Sequence, residues 1–362
     1  MRNPIKPRLT SRPVGISRRE FIQAGALGTV GFSSFARLSS AHSLNNGNVT
    51  VGRSVILIVN VGGPSQLETF DPKPDAPAEI RGPFRSISTK VPGVMFSELL
   101  PQHARIADKF SIVRSCYHSQ PATHEAGQEF MLTGGPSPFG KDRCPTIGEV
   151  VSSSREPKNS LPVAVTLPVA KYFGLDRLES SQMNEVLDIQ REPLAVRESY
   201  GRSHIGESCL AARRCVEAGV SLVTLYTFSS VFHRATWDVH GGAPYTSFAQ
   251  LRNIVAPMYD QAYVALVEDL ETRGLLANTL VCGVAEFGRT PQINATGGRD
   301  HWTHCFSTTF AGGDVQGGRT IGTSDSIGAF PTDRPITPPE IVATIYQSLG
   351  MEPVANPIQE LF

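Results

Sequence analysis

The sequence predicts an α/β domain: a central, mostly parallel sheet with helices on both faces. Three observations carry this expectation. Short, continuous apolar runs recur along the chain, as in strands buried on both faces. Stretches with helical spacing lie between several of these runs, and helix alternating with strand implies mainly parallel pairing. Polar loops carrying Gly, His and Asp follow the strand runs, where ligands bind in an open parallel sheet. With 362 residues, 40% apolar and 18% charged, the chain has ample material for a buried core.

The elements follow in order after a polar, asparagine-rich linker at residues 45–52. The run "SVILIVN" (54–60) ends at Gly62-Gly63-Pro64 and reads as the first strand. "SELLPQHARIADKF" (97–110) has helical spacing after a serine cap, with Pro101 still in the first turn, and "SIVRS" (111–115) is the next strand. The segment "EAGQEFMLTGG" after His124 reads as the start of a helix, and the Gly-, Pro- and Ser-rich residues 134–160 read as a surface insertion. "ESCLAARRCVEAG" (207–219) is a helix stopped by glycine, and it feeds the strand "VSLVTLYTF". Residues 247–273 form a long amphipathic stretch, interrupted near Pro257 and ended by Gly274. "NTLVCGVAEFG" (278–288) and "CFSTTFAGG" are further strands, "GGRTIG" is a short return strand, and "PPEIVATIYQSLG" (338–350) is a closing helix begun by prolines.

The amino terminus has its own pattern. Ser17-Arg18-Arg19-Glu20-Phe21-Ile22 precedes a small-residue apolar stretch at 24–36, and Ser39-Ser40-Ala41 then offers small residues of the kind a signal peptidase reads. This is the order of a twin-arginine export signal, which places the mature protein in the periplasm or cell envelope. The expected organisation is a signal and linker at 1–45 and a single domain at 46–362. The apolar part falls short of the ~20 residues a spanning helix needs, so no transmembrane span is expected in the mature chain. Lys plus Arg equals Asp plus Glu, 33 each, so no global field favours nucleic acid or an anionic membrane. The six cysteines have no C-x-x-C spacing, which disfavours a zinc ribbon; most are expected to be small buried apolar residues.

Four strand-end loops hold the candidate chemistry. In "WDVHGG", Asp238 and His240 stand at i and i+2, so an extended segment turns both to one face. In "GGRDHWTHCF", Asp300 and His301 are adjacent and diverge, which suits two metals or one ligand with one supporting partner. His118 and His124 flank the proline turn of "CYHSQPATHEAG", and His124 adjoins a helix start. Glu286 opens "EFGRTP" as a carboxylate ligand; Arg289 three residues later binds either an anionic oxygen or Glu286 itself. Carboxylates with imidazoles form a donor set for a divalent metal, namely zinc, manganese or calcium. In the first loop Gly62-Gly63-Pro64 precedes Ser65, a candidate nucleophile, with Glu68 and Asp71 as alternative ligands. No G-x-S-x-G elbow surrounds Ser65, and the G-x-G-x-x-G and G-x-x-x-x-G-K-[ST] fingerprints are missing.

Several long motifs, in fixed order, carry a resemblance. "GGPSQLETFDPKPDAPAEIRGPF", "SELLPQHARIADKFSIVRS", "EFGRTPQINATGGRDHW" and "AGGDVQGGRTIGTSD", with the twin-arginine leader, resemble the exported bacterial proteins of domain-of-unknown-function family 1501 over nearly the whole mature chain. That family is grouped with the alkaline phosphatase and sulfatase superfamily. The resemblance implies an alkaline phosphatase-like sheet with a one- or two-metal site at its strand ends. By it, Asp300 and His301 match the late metal-binding aspartate-histidine pair, Asp238 and His240 resemble the middle pair, and Ser65 lies in the loop that holds the nucleophile. Asn60 departs from the pattern, because the first strand of such enzymes ends in a metal-binding aspartate; nor is there a C-x-P-x-R segment of the sulfatase kind. Two functions are therefore in view. One is a metal-dependent hydrolase of phosphate or sulfate esters, acting on an anionic ester or a sulfated or phosphorylated glycan. The other is a non-catalytic envelope or glycan-binding protein with a degenerate site.

Overall fold

The computed structural model describes residues 53–135, 143–157, 160–168, 181–232 and 234–362. The export-signal reading at 1–45, the linker up to Gly52 and His233 lie outside the described residues. A seven-stranded sheet organises the described residues. Its strands are β1 (Ser54–Val59), β2 (Phe110–Cys116), β3 (Ala164–Leu167), β4 (Leu222–Tyr226), β5 (Thr279–Val284), β6 (Phe306–Ala311) and β7 (Thr320–Ile321). Across the sheet the order is β7-β2-β6-β5-β1-β4-β3.

Strand β1 lies at the centre. Its β-branched, apolar residues are buried at every position, and it pairs in parallel with β4 (Val55↔Leu222) and β5 (Ser54↔Thr279). Strand β6 alone runs against its neighbours, antiparallel to both β5 and β2, while β7 is parallel to β2 and β3 to β4. The direction of β6 follows from its connection. Residues 285–305 contain no helix, and a parallel partner needs a crossover, usually helical. The carboxyl ends of β1, β2, β4 and β5 therefore share one edge, and the chain re-enters the sheet from that edge as β6.

Helices cover the sheet: α1 (Pro101–Arg105), α2 (His124–Thr133), α3 (Ile147–Ser154), α4 (His204–Glu217), α5 (Ala256–Thr272) and α6 (Pro338–Ser348). Each longer helix starts where sequence allows its free N–H groups a partner. Thr123 Oγ1 accepts from Ala126 N–H before α2, Ser203 Oγ from Gly206 N–H before α4, and Thr337 with Glu340 forms a capping box around Pro338 of α6. Helix α5 continues a wider turn at Leu251–Val255, where the Ala256 N–H reaches back to the Leu251 carbonyl, and Pro257, which has no N–H to donate, follows that turn directly.

Two stretches differ from the sequence reading. Within 97–110, helix is confined to α1 and a short turn at Ala107–Lys109, and Ser97 ends a small strand instead of capping. The cap comes from afar: both carboxylate oxygens of Asp260, on α5, accept the N–H groups of Gln102 and His103, and His103 Nδ1 lies 2.6 Å from the same carboxylate. Of residues 134–160, read as a surface insertion, the described part contains α3, whose Ile147 and Val151 are buried. The Thr146–Glu149 capping box marks its start, a signal that the Gly/Pro content of the segment obscured. Cys116, Cys209, Cys215, Cys282 and Cys305 are buried thiols, and burial pushes Cys116 and Cys209 up to about 12, so both stay protonated and inert. Among the described residues no helix is long and apolar enough to cross a membrane.

Candidate metal centre

The strand-end loops meet because they are pinned together. Gly288–Arg289 and His301–Trp302 form a two-residue antiparallel ladder inside the 285–305 connection. Arg299, fully buried, reaches from that connection to Glu68 at 2.6 Å and to the carbonyls of Ile80 and Thr290, fixing the base of the loop beside Asp300. The loop of Asp238 then lies directly against it: a Cβ on Gly298 would come within 2.2 Å of Gly241 N, and one on Gly241 within 2.3 Å of Thr296 O. Only glycine permits that backbone contact, so Gly241 of "WDVHGG" and Gly298 of "GGRDHW" serve one purpose.

Asp238 stands at the focus, 1% exposed. His240 Nε2 lies 3.0 Å and His301 Nε2 3.3 Å from its Oδ1, and His124 Nε2 lies 3.6 Å from its Oδ2, an ion-pair distance beyond hydrogen-bond reach. Each imidazole has its other nitrogen tied to an oxygen. His124 Nδ1 meets Glu286 Oε1 at 2.7 Å, His240 Nδ1 meets Asp300 Oδ1 at 3.0 Å, and His301 Nδ1 meets the Ala122 carbonyl at 2.8 Å. Those oxygens only accept, so each Nδ1 carries the proton and donates it, and in the neutral rings each Nε2 presents a lone pair. Three lone pairs and a carboxylate thus converge, and two of them, His240 Nε2 and His301 Nε2, lie 3.1 Å apart.

Acceptors crowded in this way repel unless a cation or extra protons stand among them. Burial alone would lower the His124 pKa, but the neighbouring Asp238 and Glu286 carboxylates outweigh it and raise His124 to about 9. Burial would raise that of Asp238, yet His124, His240, His301 and Arg289 hold its carboxyl far below the usual range. The donor set suits a divalent ion: ligand atoms of His124, Asp238 and His301 all lie within 4.8 Å of one another, imidazole nitrogen with carboxylate oxygen matches zinc or manganese, and His124 Nε2 is buried without a hydrogen-bond partner. Imidazoles backed by carboxylates or a carbonyl are the usual support of such a ligand shell.

Arg289 sits beneath this group with no exposure. Its Nη2 pairs with Asp238 Oδ1 at 2.6 Å and reaches the Gly62 carbonyl, its Nε donates to the Gly63 carbonyl, and its Nη1 to the Arg299 carbonyl and toward His240 Nε2. Its donors are spent within the protein, on Asp238 in place of Glu286. Glu286 is likewise buried; Oε1 takes the Gly62 N–H at 2.7 Å as well as His124, and Oε2 has no hydrogen-bond partner.

The remaining sequence candidates stand apart from the cluster. Ser65 is 2% exposed, and its Oγ accepts the Leu67 N–H at 3.3 Å; no hydrogen bond among the described residues joins it to the imidazoles. His118 is buried, donates Nε2–H to the Glu286 carbonyl at 2.6 Å and so braces Glu286. Glu68 holds Arg299, and Asp71 pairs with Lys73 and Ser324. Asn60 is packed under Tyr259, its Nδ2 3.4 Å from the phenol oxygen. Two contributors lie outside the sequence candidates: the Ala122 carbonyl, which has no side-chain signal, and Arg299, whose place inside "GGRDHW" is its only signal.

A family model, "Protein of unknown function (DUF1501)", matches residues 52–178 and 169–356. No protein of curated function matches. Among solved structures, the chain is similar to the phosphonate monoester hydrolase SpPMH from Silicibacter pomeroyi at 10% identity and TM-score 0.43, covering 86% of this chain and 76% of that one. It is also similar to the PsFucS1 sulfatase from Pseudoalteromonas sp. at 13% identity and TM-score 0.44, covering 92% and 75%. The C-terminal periplasmic domain of EcEptC from Escherichia coli, in complex with Zn, matches at 10% identity and TM-score 0.44, covering 84% and 83%. Likeness of this degree carries no functional argument by itself.

Proposed function

This chain belongs to the DUF1501 family of proteins of unknown function, and from that premise we propose that it is an exported, metal-dependent hydrolase of phosphate or sulfate esters. The observation that carries the reading is the convergence of three imidazole Nε2 atoms on the Asp238 carboxylate, with every Nδ1 fixed by an oxygen. In this reading His124, Asp238, His240 and His301 hold the ion, while Glu286 and Asp300 orient His124 and His240. A divalent cation held by these residues would supply polarisation of an ester oxygen and a lowered pKa for a water. Asp238 supplies the negative charge; Arg289, spent on Asp238 and three loop carbonyls, keeps that carboxylate in place and is not free to grip the substrate anion. The tie between Ser65 and Leu67 N–H favours water over Ser65 as the nucleophile. Export rests on the arginine pair Arg18-Arg19 and the apolar run that follows it.

Purified protein, analysed for bound metal and then offered aryl phosphates and aryl sulfates with zinc or manganese, tests the proposal. Metal at one or two equivalents with turnover abolished by His301→Ala supports it; absence of both metal uptake and turnover removes it. The non-catalytic reading is favoured by one observation: Arg289 already neutralises Asp238 at 2.6 Å. It expects no turnover and a melting temperature indifferent to chelator.

A further inference from the structure

A cavity of about 410 Å³ opens beside the cluster at the carboxyl ends of β1, β3 and β4, and His124 belongs to both. Its volume falls in the range of small-molecule sites. Val61, Leu167, Phe228 and Val231 supply apolar wall, and Gln128 and Ser229 add uncharged polar groups. Among the described lining residues there is no Lys or Arg; apart from His124 the one ionisable side chain at neutral pH is the exposed Glu125. A site for a polyanionic glycan or a nucleotide needs cations along the path of the extra charges. The described wall offers an acid instead.

Resting on the hydrolase reading above, we propose that the substrate is the monoester of a neutral, largely apolar alcohol, an aryl or short alkyl ester, whose acid group lies at the metal cluster and whose alcohol part fills this cavity. A substrate with a second negative charge on the alcohol part is selected against, because Glu125 repels it and no described wall residue neutralises it. In the reaction the water oxygen bonds to phosphorus or sulfur, the bond from that atom to the ester oxygen breaks, and the alcohol oxygen leaves with a proton.

The test uses the metal-loaded full chain with 2-naphthyl phosphate and sulfate, their 6-sulfonated counterparts, methyl phosphate, and free 2-naphthol as a binding probe. Expected is a kcat/KM for the plain naphthyl ester at least about tenfold above that of the sulfonated one, a preference that Glu125→Lys reverses. Ser229→Trp and Gln128→Trp, both at the cavity wall, should weaken 2-naphthol binding about tenfold and lower kcat/KM for the naphthyl ester more than for methyl phosphate. Equal or faster turnover of the sulfonated ester by the wild type, or naphthol affinity unmoved in both Trp variants, overturns the proposal. If no ester of any kind is hydrolysed while naphthol binds and responds to the variants as expected, the hydrolase reading falls and the cavity's preference for a neutral apolar ligand stands.

Discussion

His240 Nε2 and His301 Nε2 lie 3.1 Å apart, each with its Nδ1 committed to an oxygen elsewhere. Two neutral rings held in this way set lone pair against lone pair, offset only by the 3.3 Å contact of Arg289 Nη1 with His240, so a bound cation or an added proton should stabilise the pair. Chelation should therefore lower the melting temperature of protein isolated with metal, and zinc or manganese should restore it, by an amount that grows with the logarithm of free metal. His301→Ala should abolish this response. A melting temperature that ignores both chelator and added metal would remove the metal centre.

The proton that stands in for the cation has a predictable pH signature. His124, with an ordinary pKa near 6.5, is raised to about 9 in the folded metal-free protein. A raised folded pKa means that the native state binds the proton more tightly, so its stabilising contribution is complete below about 6.5 and disappears as pH climbs through about 9. Asp238 is depressed, so its contribution is present above the ordinary aspartate value and is lost in acid. Urea unfolding of metal-free protein should show stability falling from pH 7 to 9.5, with the slope flattened in His124→Asn. Metal affinity should move the other way, rising from pH 6 to 8, because the ion displaces that proton. Parallel behaviour of His124→Asn and wild type would dismiss this role for His124.

Much of this centre was legible before any coordinates, and for a physical reason. Strands such as "SVILIV" declare themselves by unbroken apolar runs, and parallel strands send their following loops to one edge, so the loops carrying Asp238, His124, Glu286 and His301 are expected along the same edge. The roles within the group were not legible. Whether Asp300 binds metal or steadies His240 depends on a 3.0 Å contact between residues sixty apart, and whether Arg289 faces a ligand or Asp238 depends on burial. The reversed direction of β6 was readable in principle, since the 285–305 connection lacks the helical spacing that a parallel crossover requires. The short α1 was not, because its cap is Asp260, more than 150 residues away.

Arg289 offers a sharper energetic test. It is fully buried, and its loss in Arg289→Met takes from buried Asp238 its nearest permanent cation and leaves three loop carbonyls without their donor. Breaking such a pair from one side costs about 3–5 kcal/mol. Urea unfolding without metal should register a loss of that order, and saturating divalent cation should recover part of it by restoring positive charge beside Asp238. Arg289→Lys keeps the charge without the five-donor fork and should recover less than half of the loss. A variant as stable as the wild type would mean that the loops hold themselves together without the guanidinium.

Gly127 sets the distance between α2 and the strand end that carries Glu286. A Cβ there would lie 2.7 Å from the Glu286 carbonyl oxygen and 2.9 Å from its Cβ. Alanine in a helix interior ordinarily stabilises by roughly 0.5–1 kcal/mol relative to glycine. Here the added methyl must push α2 outward or displace Glu286, an overpacking cost of about 1–3 kcal/mol that outweighs the helix gain. Because His124 opens α2 and its Nδ1 is held by Glu286 at 2.7 Å, the same displacement loosens the imidazole that faces Asp238. Gly127→Ala should thus lower both the melting temperature and the metal affinity, the second by a factor within the 10–100-fold range seen when an outer partner of a ligand is disturbed. Calorimetric titration of the variant with zinc or manganese measures the affinity directly. A Gly127→Ala protein that melts higher than the wild type and binds metal equally well would show that α2 has room to spare and that Glu286 does not govern His124.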